Sequence, residues 1–145
     1  MRIVTTFRPA LGMALLALAL GACGTSHRTA AGPATPVGVR ERDFRILLSP
    51  ALVPAGRVRL TVDDVGPADH ELILVRARPG GLPIRADGLT VDEDALAPVT
   101  VGALEPARPG TVRHLEVTLR KGRYVLFCNM AGHYLGGMRA ILVVT

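Results

Sequence analysis

The stretch Val125-Leu-Phe-Cys128-Asn-Met-Ala-Gly-His133-Tyr-Leu-Gly-Gly-Met138 sets a thiol, an imidazole and a thioether at a C-x4-H-x4-M spacing. Arg123-Tyr-Val-Leu-Phe127 before it and Arg139-Ala-Ile-Leu-Val-Val144 after it both read as short strands. The three donors therefore fall in a loop between two strands, where a rigid scaffold can present ligands.

Upstream, the same strand pattern repeats. Arg57-Val-Arg-Leu-Thr-Val62 alternates strictly, with Val58, Leu60 and Val62 on one face. Arg113-His-Leu-Glu-Val-Thr-Leu119 alternates again, placing Leu115, Val117 and Leu119 inward and His114 on the polar face, as a surface histidine. Glu71-Leu-Ile-Leu-Val75 is continuously apolar, as a strand buried on both faces would be. Val37 to Leu48 carries one further strand. Six or seven short strands separated by Gly/Pro turns predict an all-β sandwich. Residues 76 to 111 break the rhythm with five prolines, several glycines and the acidic run Asp92-Glu93-Asp94. They read as a long irregular loop and a structural insertion. Within it Thr90 to Leu96 forms a short helix, with Thr90 as N-cap and Glu93 at the capping-box position.

The chain of 145 residues begins as an export signal. Arg2 and Arg8 flank an N-terminus that runs into the apolar segment Leu11 to Leu20, followed by Gly21 and Ala22. That run is about half the length needed to span a membrane. Leu20-Gly21-Ala22-Cys23 resembles the lipobox of bacterial lipoproteins, which implies cleavage before Cys23 and acylation of its sulfur. Two or three acyl chains anchor stably where one would not. Residues 1–22 are thus the signal peptide, and 23–36 the lipidated Cys with a small, polar, Pro-containing tether in which His27 is incidental. Residues 37–145 form one domain, expected to be monomeric, exported and held at the extracytoplasmic face of a membrane, in the periplasm or at the cell surface.

Losing Arg2 and Arg8 with the signal lowers the net charge from +5 to +3. Nearly all the basic residues are Arg, with Lys121 the one Lys, and they form no basic run; a nucleic-acid partner has no support. With Cys23 lipidated, Cys128 is the one remaining thiol, so no intramolecular disulfide can form. An exported lone thiol is open to oxidation unless a metal occupies it. Two imidazoles, one thiolate and a weak axial Met form the ligand pattern of blue-copper sites. The second imidazole has to come from elsewhere in the fold. His70 qualifies, at the start of a buried strand just after Gly66-Pro-Ala-Asp69. Zinc is a poorer match, because a thioether binds it weakly.

His70 and the Cys128–Met138 loop together resemble the cupredoxins, especially rusticyanin-like and auracyanin-like proteins. The resemblance covers most of residues 37–145 and implies a Greek-key sandwich with one type 1 copper ion at one end. It implies that His70 and His133 bind through imidazole nitrogen, Cys128 through its thiolate and Met138 as the long axial ligand. It also implies an apolar patch from Met130, Ala131, Tyr134 and Leu135, through which His133 passes the electron out. One position departs from the pattern. Many cupredoxins have Asn after the first histidine, tying the two ligand loops together, and Glu71 stands there instead.

The expected function is a membrane-tethered one-electron carrier exchanging electrons with redox partner proteins. The alternative is copper capture or delivery at the cell envelope, whose ligands are more often exposed and rich in Met and His. An oxidase or reductase needs further domains and further His clusters than four histidines provide, so no enzyme activity is expected.

Overall fold

The structure, a computed structural model, describes residues 32–145. The signal peptide, Cys23 and His27 lie outside the described residues. Among the described residues no helix is long and apolar enough to cross a membrane.

Among the described residues nine strands form two sheets. They are β1 (Thr35–Arg42), β2 (Arg45–Ser49), β3 (Leu52–Val53), β4 (Gly56–Asp64), β5 (His70–Arg76), β6 (Thr100–Ala107), β7 (Val112–Leu119), β8 (Gly122–Phe127) and β9 (Arg139–Val144). One sheet runs β2-β1-β4-β7 and the other β3-β9-β8-β5-β6. Most neighbours are antiparallel, but β1 runs parallel to β4 and β3 parallel to β9. The all-β sandwich is as expected, and several details of the element map differ.

Val37 to Leu48 is two strands, β1 and β2, because the chain reverses at Asp43-Phe44, with Phe44 at φ 61°. Phe is rare in that left-handed region, and no Gly, Pro or Asn marks the turn. β1 also starts at Thr35, two residues inside the segment read as tether, and pairs there with Val58 and Arg59. The long loop contains the strand β6, which pairs with β5 along the edge of its sheet. Gly102 and Pro106 hide it in the sequence, and the structure explains both. A Cβ on Gly102 would crowd Leu115 and Val117, and Pro is tolerated on an edge strand. The short helix α1 spans Glu93–Leu96, and its cap is Asp92, which accepts from the Ala95 N–H, rather than Thr90. Thr90 is held by Asp87 instead.

The main core lies between the sheets. Val37, Val39, Val58, Leu60 and Val62 of the first sheet meet Leu72, Leu74, Tyr124, Leu126 and Leu142 of the second. A second cluster explains the continuous apolar run of β5. Ile73, Val75, Val125 and Phe127 point away from the sandwich and are covered by Leu82, Val91 and Leu96 of the irregular segment. Residues 77–99 thus clothe the outer face of the second sheet. The inward alternation of the first sheet does not end in apolar residues. Glu41 follows Val37 and Val39 on β1, Asp64 follows Leu60 and Val62 on β4, and Arg113 precedes Leu115 on β7. Three charged side chains therefore meet at one end of the interior, and His70 starts β5 beside them.

Candidate metal centre

β8 ends at Phe127 and delivers Cys128 fully buried at that same end of the sandwich. The loop then turns back on itself. The His133 N–H donates to the Met130 carbonyl at 2.8 Å, and the Met138 N–H to the His133 carbonyl at 2.9 Å. The Cys128 N–H donates to the Met138 carbonyl at 3.2 Å, so the two sulfur residues close the base of the loop. Gly132 and Gly137 make this possible at φ 79° and 108°, where L side chains are strained. A side chain on Gly136 would strike the ring of Phe44.

The structure brings the sequence-predicted residues into one neighbourhood. Cys128 Sγ lies 3.5 Å from His133 Nδ1. The His70 and His133 rings stand 5.3 Å apart between centroids. His70, Cys128 and Met138 are all buried. Among the described residues no three His, Cys, Asp or Glu side chains form a group that could hold a metal by themselves, the thioether left aside.

His70 shows which of its nitrogens is spoken for. Nδ1 lies 2.8 Å from Asp64 Oδ1, and an ionised carboxylate only accepts, so Nδ1 carries the proton. Asp64 Oδ1 also accepts from the Gly66 N–H at 2.9 Å, which fixes the carboxylate in a fully buried position. Nε2 is buried and makes no hydrogen bond. Asp43 Oδ1 is 3.1 Å from it, within charge contact but off the direction of a hydrogen bond. A buried imidazole lone pair without a proton to accept is an expensive thing to leave bare. It fits a metal ligand, and a carboxylate behind a ligand histidine is the usual device for orienting one.

The protonation state of the free site follows from burial. Burial pushes the Cys128 thiol up to about 11. Burial moves His133 down from the ordinary imidazole value, against the opposing effect of Asp43. At neutral pH and without a metal, Cys128 is therefore a thiol and His133 neutral, and a soft metal ion would release the thiol proton.

Glu71, the departure from the family pattern, makes the tie itself. The Asn129 N–H next to Cys128 donates to Glu71 Oε1 at 3.1 Å, linking the two ligand loops. Asn129 then reaches the irregular segment, donating to Glu93 Oε1 at 2.7 Å and to the Val91 carbonyl at 3.1 Å. Its Oδ1 accepts from the Val91 N–H, and the Gly132 N–H donates to the Leu89 carbonyl at 3.1 Å. The segment read as a structural insertion is thus a second wall of the Cys128 loop. Burial, with the charge of Glu93 next, moves Glu71 above the usual carboxylate range.

The apolar surroundings are only partly those expected. Tyr134 packs edge-on against Phe127 at 5.6 Å and lies under the Arg139 guanidinium at 5.0 Å. Leu135 is exposed. Besides Asp64, the sequence left Phe44 unmarked, which meets the His133 ring at 5.3 Å, edge to face. It is 52% exposed, so the outer edge of His133 is shared with an aromatic from the β1–β2 turn. His114 is exposed and contacts Thr61, apart from the site, as expected.

No protein-family model and no curated protein sequence matches the chain. Solved structures do. Auracyanin B is 25% identical with a TM-score of 0.59, over 79% of this chain and 91% of that one. Auracyanin A, described as a "blue" copper protein from the green thermophilic photosynthetic bacterium Chloroflexus aurantiacus, is 20% identical with a TM-score of 0.52, over 76% and 99%. Rusticyanin from Thiobacillus ferrooxidans is 14% identical with a TM-score of 0.55, over 78% and 79%. The chain has the cupredoxin fold of these blue copper neighbours.

Proposed function

We propose that this protein is a one-electron carrier that holds a single type 1 copper ion with His70, Cys128, His133 and Met138. The observation that carries the reading is the buried donor set at one end of the sandwich. A thiol stands 3.5 Å from an imidazole nitrogen, beside a second imidazole whose free nitrogen has no hydrogen bond. The donors suit copper, because sulfur favours the reduced ion and imidazole the oxidised one. Copper would supply one-electron redox chemistry without proton transfer.

The chain's own residues do the rest. Asp64 holds the His70 ring in one tautomer and orientation. The Glu71–Asn129 bond and the closure of Cys128 on Met138 keep the two ligand loops in register. A site already shaped this way moves little between oxidation states, which keeps the reorganisation barrier low. Phe44 covers one side of the His133 ring. His133 is the electron's exit, at the surface beside Phe44. Acylation at Cys23 would hold the carrier at the extracytoplasmic face of a membrane, where small, brief interfaces suit electron exchange with partner proteins. Nothing in the site calls for a substrate pocket, and the function proposed is outer-sphere transfer rather than catalysis.

The test is to load the full chain with Cu(II) and follow its visible spectrum through cycles of reduction and reoxidation. The carrier shows an intense thiolate-to-copper band that bleaches and returns. A colourless protein that keeps only Cu(I) and hands it to a chelating acceptor would establish copper delivery instead. Met138→Leu should keep the colour and raise the potential, since it removes the thioether that would hold the metal weakly.

A further inference from the structure

The β1–β2 hairpin has an outer face that its fold does not require. Arg42 and Arg45 are direct cross-strand partners on either side of the Asp43-Phe44 turn. Residues so placed have Cβ atoms about 5 Å apart, and like charges there are destabilising. Both are exposed, and among the described residues neither makes an ion pair or hydrogen bond. Arg40 continues the row, with only a 3.7 Å contact to the half-buried Asp63. These three arginines line one open hollow together with Leu47 and Val65. Leu47 is 54% and Val65 41% exposed. The acidic groups close by do not neutralise the face. Asp43 turns its carboxylate inward to the Ala68 N–H and His70, and Glu41 is buried against Arg113. Phe44, which touches His133, sits at the tip between Arg42 and Arg45.

We propose that this hairpin tip is the docking surface for an acidic redox partner protein, with Phe44 as its apolar centre and Arg40, Arg42 and Arg45 as its basic flank. The inference rests on the electron-carrier reading. Charge complementarity selects the occupant. An anionic face would relieve the Arg42–Arg45 repulsion, and its approach over Phe44 would bring a redox centre to the edge of His133. A lipid surface at the same place would cover that edge. β1 begins at Thr35, about 23 Å along the strand from Arg42 at 3.3 Å per residue. Charged rims of this kind act chiefly on the rate of encounter, which falls with salt.

The experiment compares the full chain with the R42Q/R45Q double variant, using two small oxidants of opposite charge. Reoxidation of the reduced copper protein by ferricyanide should slow about tenfold at low salt in the variant, and its salt dependence should flatten. Reoxidation by tris(phenanthroline)cobalt(III) should stay unchanged or quicken, with the visible spectrum and potential as in the parent. Equal rates with ferricyanide in the two proteins, or equal losses with both oxidants, would overturn the proposal. A second measurement needs no copper. Polyglutamate added to the metal-free protein should shift the amide NMR signals of residues 40–47, and the double variant should lose those shifts. If no blue protein forms, the carrier reading falls, and the polyglutamate titration alone decides the surface. Slower hydrogen exchange of the hairpin amides on phosphatidylglycerol than on phosphatidylcholine vesicles would assign the face to lipid and overturn the proposal.

Discussion

Glu41→Gln is the most informative single change away from the ligands. Glu41 points inward from β1, opposite Asp64 in the parallel β1–β4 ladder, and both are fully buried. Glu41 Oε2 accepts from Arg113 Nη2 at 2.6 Å, while Oε1 has no partner. Burial raises its pKa from 4.5 to about 7, against Arg113 and helped by the Asp64 charge. Between those two values the folded protein keeps a proton that the unfolded chain has lost. Stability therefore falls as pH rises through this window, by about 1.4 kcal/mol per pH unit, and levels off above 7. The whole effect is about 3 kcal/mol. Gln cannot ionise, so the stability of the parent relative to the variant should fall by that amount between pH about 4.5 and 7. His133, held low, contributes a slope of the opposite sign, and Glu71, held high, one of the same sign. Both are present in the two proteins and cancel to first order in the difference. Urea unfolding of the metal-free proteins across that pH range measures it, with midpoints compared at constant m. Parallel stability curves would show that Glu41 ionises normally and that Arg113 outweighs the burial.

Arg113→Met removes the one partner of Glu41 Oε2 and should cost about 3–5 kcal/mol above pH 7, and less at pH 5 where Glu41 takes up a proton; thermal melts at the two pH values check this. Asp64→Asn replaces the acid side chain behind His70 and should raise the copper potential, by about 60 mV for each 1.4 kcal/mol of lost preference for the oxidised ion, read by redox titration. Gly136→Ala pushes Phe44 off the Cys128–Met138 loop, so overpacking should cost about 1–3 kcal/mol and the His133 ring protons should lose the shielding of the Phe44 ring in NMR spectra.

The ligand loop was legible because its flanks are short apolar runs and its donors are rare residue types. β4 and β7 were legible from their alternation, and β5, β8 and β9 from their apolar runs. The β1–β2 hairpin was not, because its turn is made by Asp43 and Phe44, and a Phe at positive φ carries no turn signature. With the hairpin went the place of Phe44 against His133. β6 was hidden by Gly102 and Pro106, which serve close packing and an edge position that only the assembled sheets reveal. Asp64 could have been found. It continues the inward set Val58, Leu60 and Val62, as Glu41 continues Val37 and Val39, and an alternation that ends on a buried acid points to a partner. Glu71 was noticed as an oddity, and only the fold shows that its longer carboxylate reaches the Asn129 N–H.

X-ray absorption at the copper edge of the protein loaded with one equivalent of Cu(II) tests the ligand set itself. The site proposed here gives one short thiolate sulfur and two imidazoles, and Cys128→Ser removes the sulfur together with the colour. A first shell of nitrogen and oxygen alone in the parent protein, or a sulfur that survives Cys128→Ser, would contradict it.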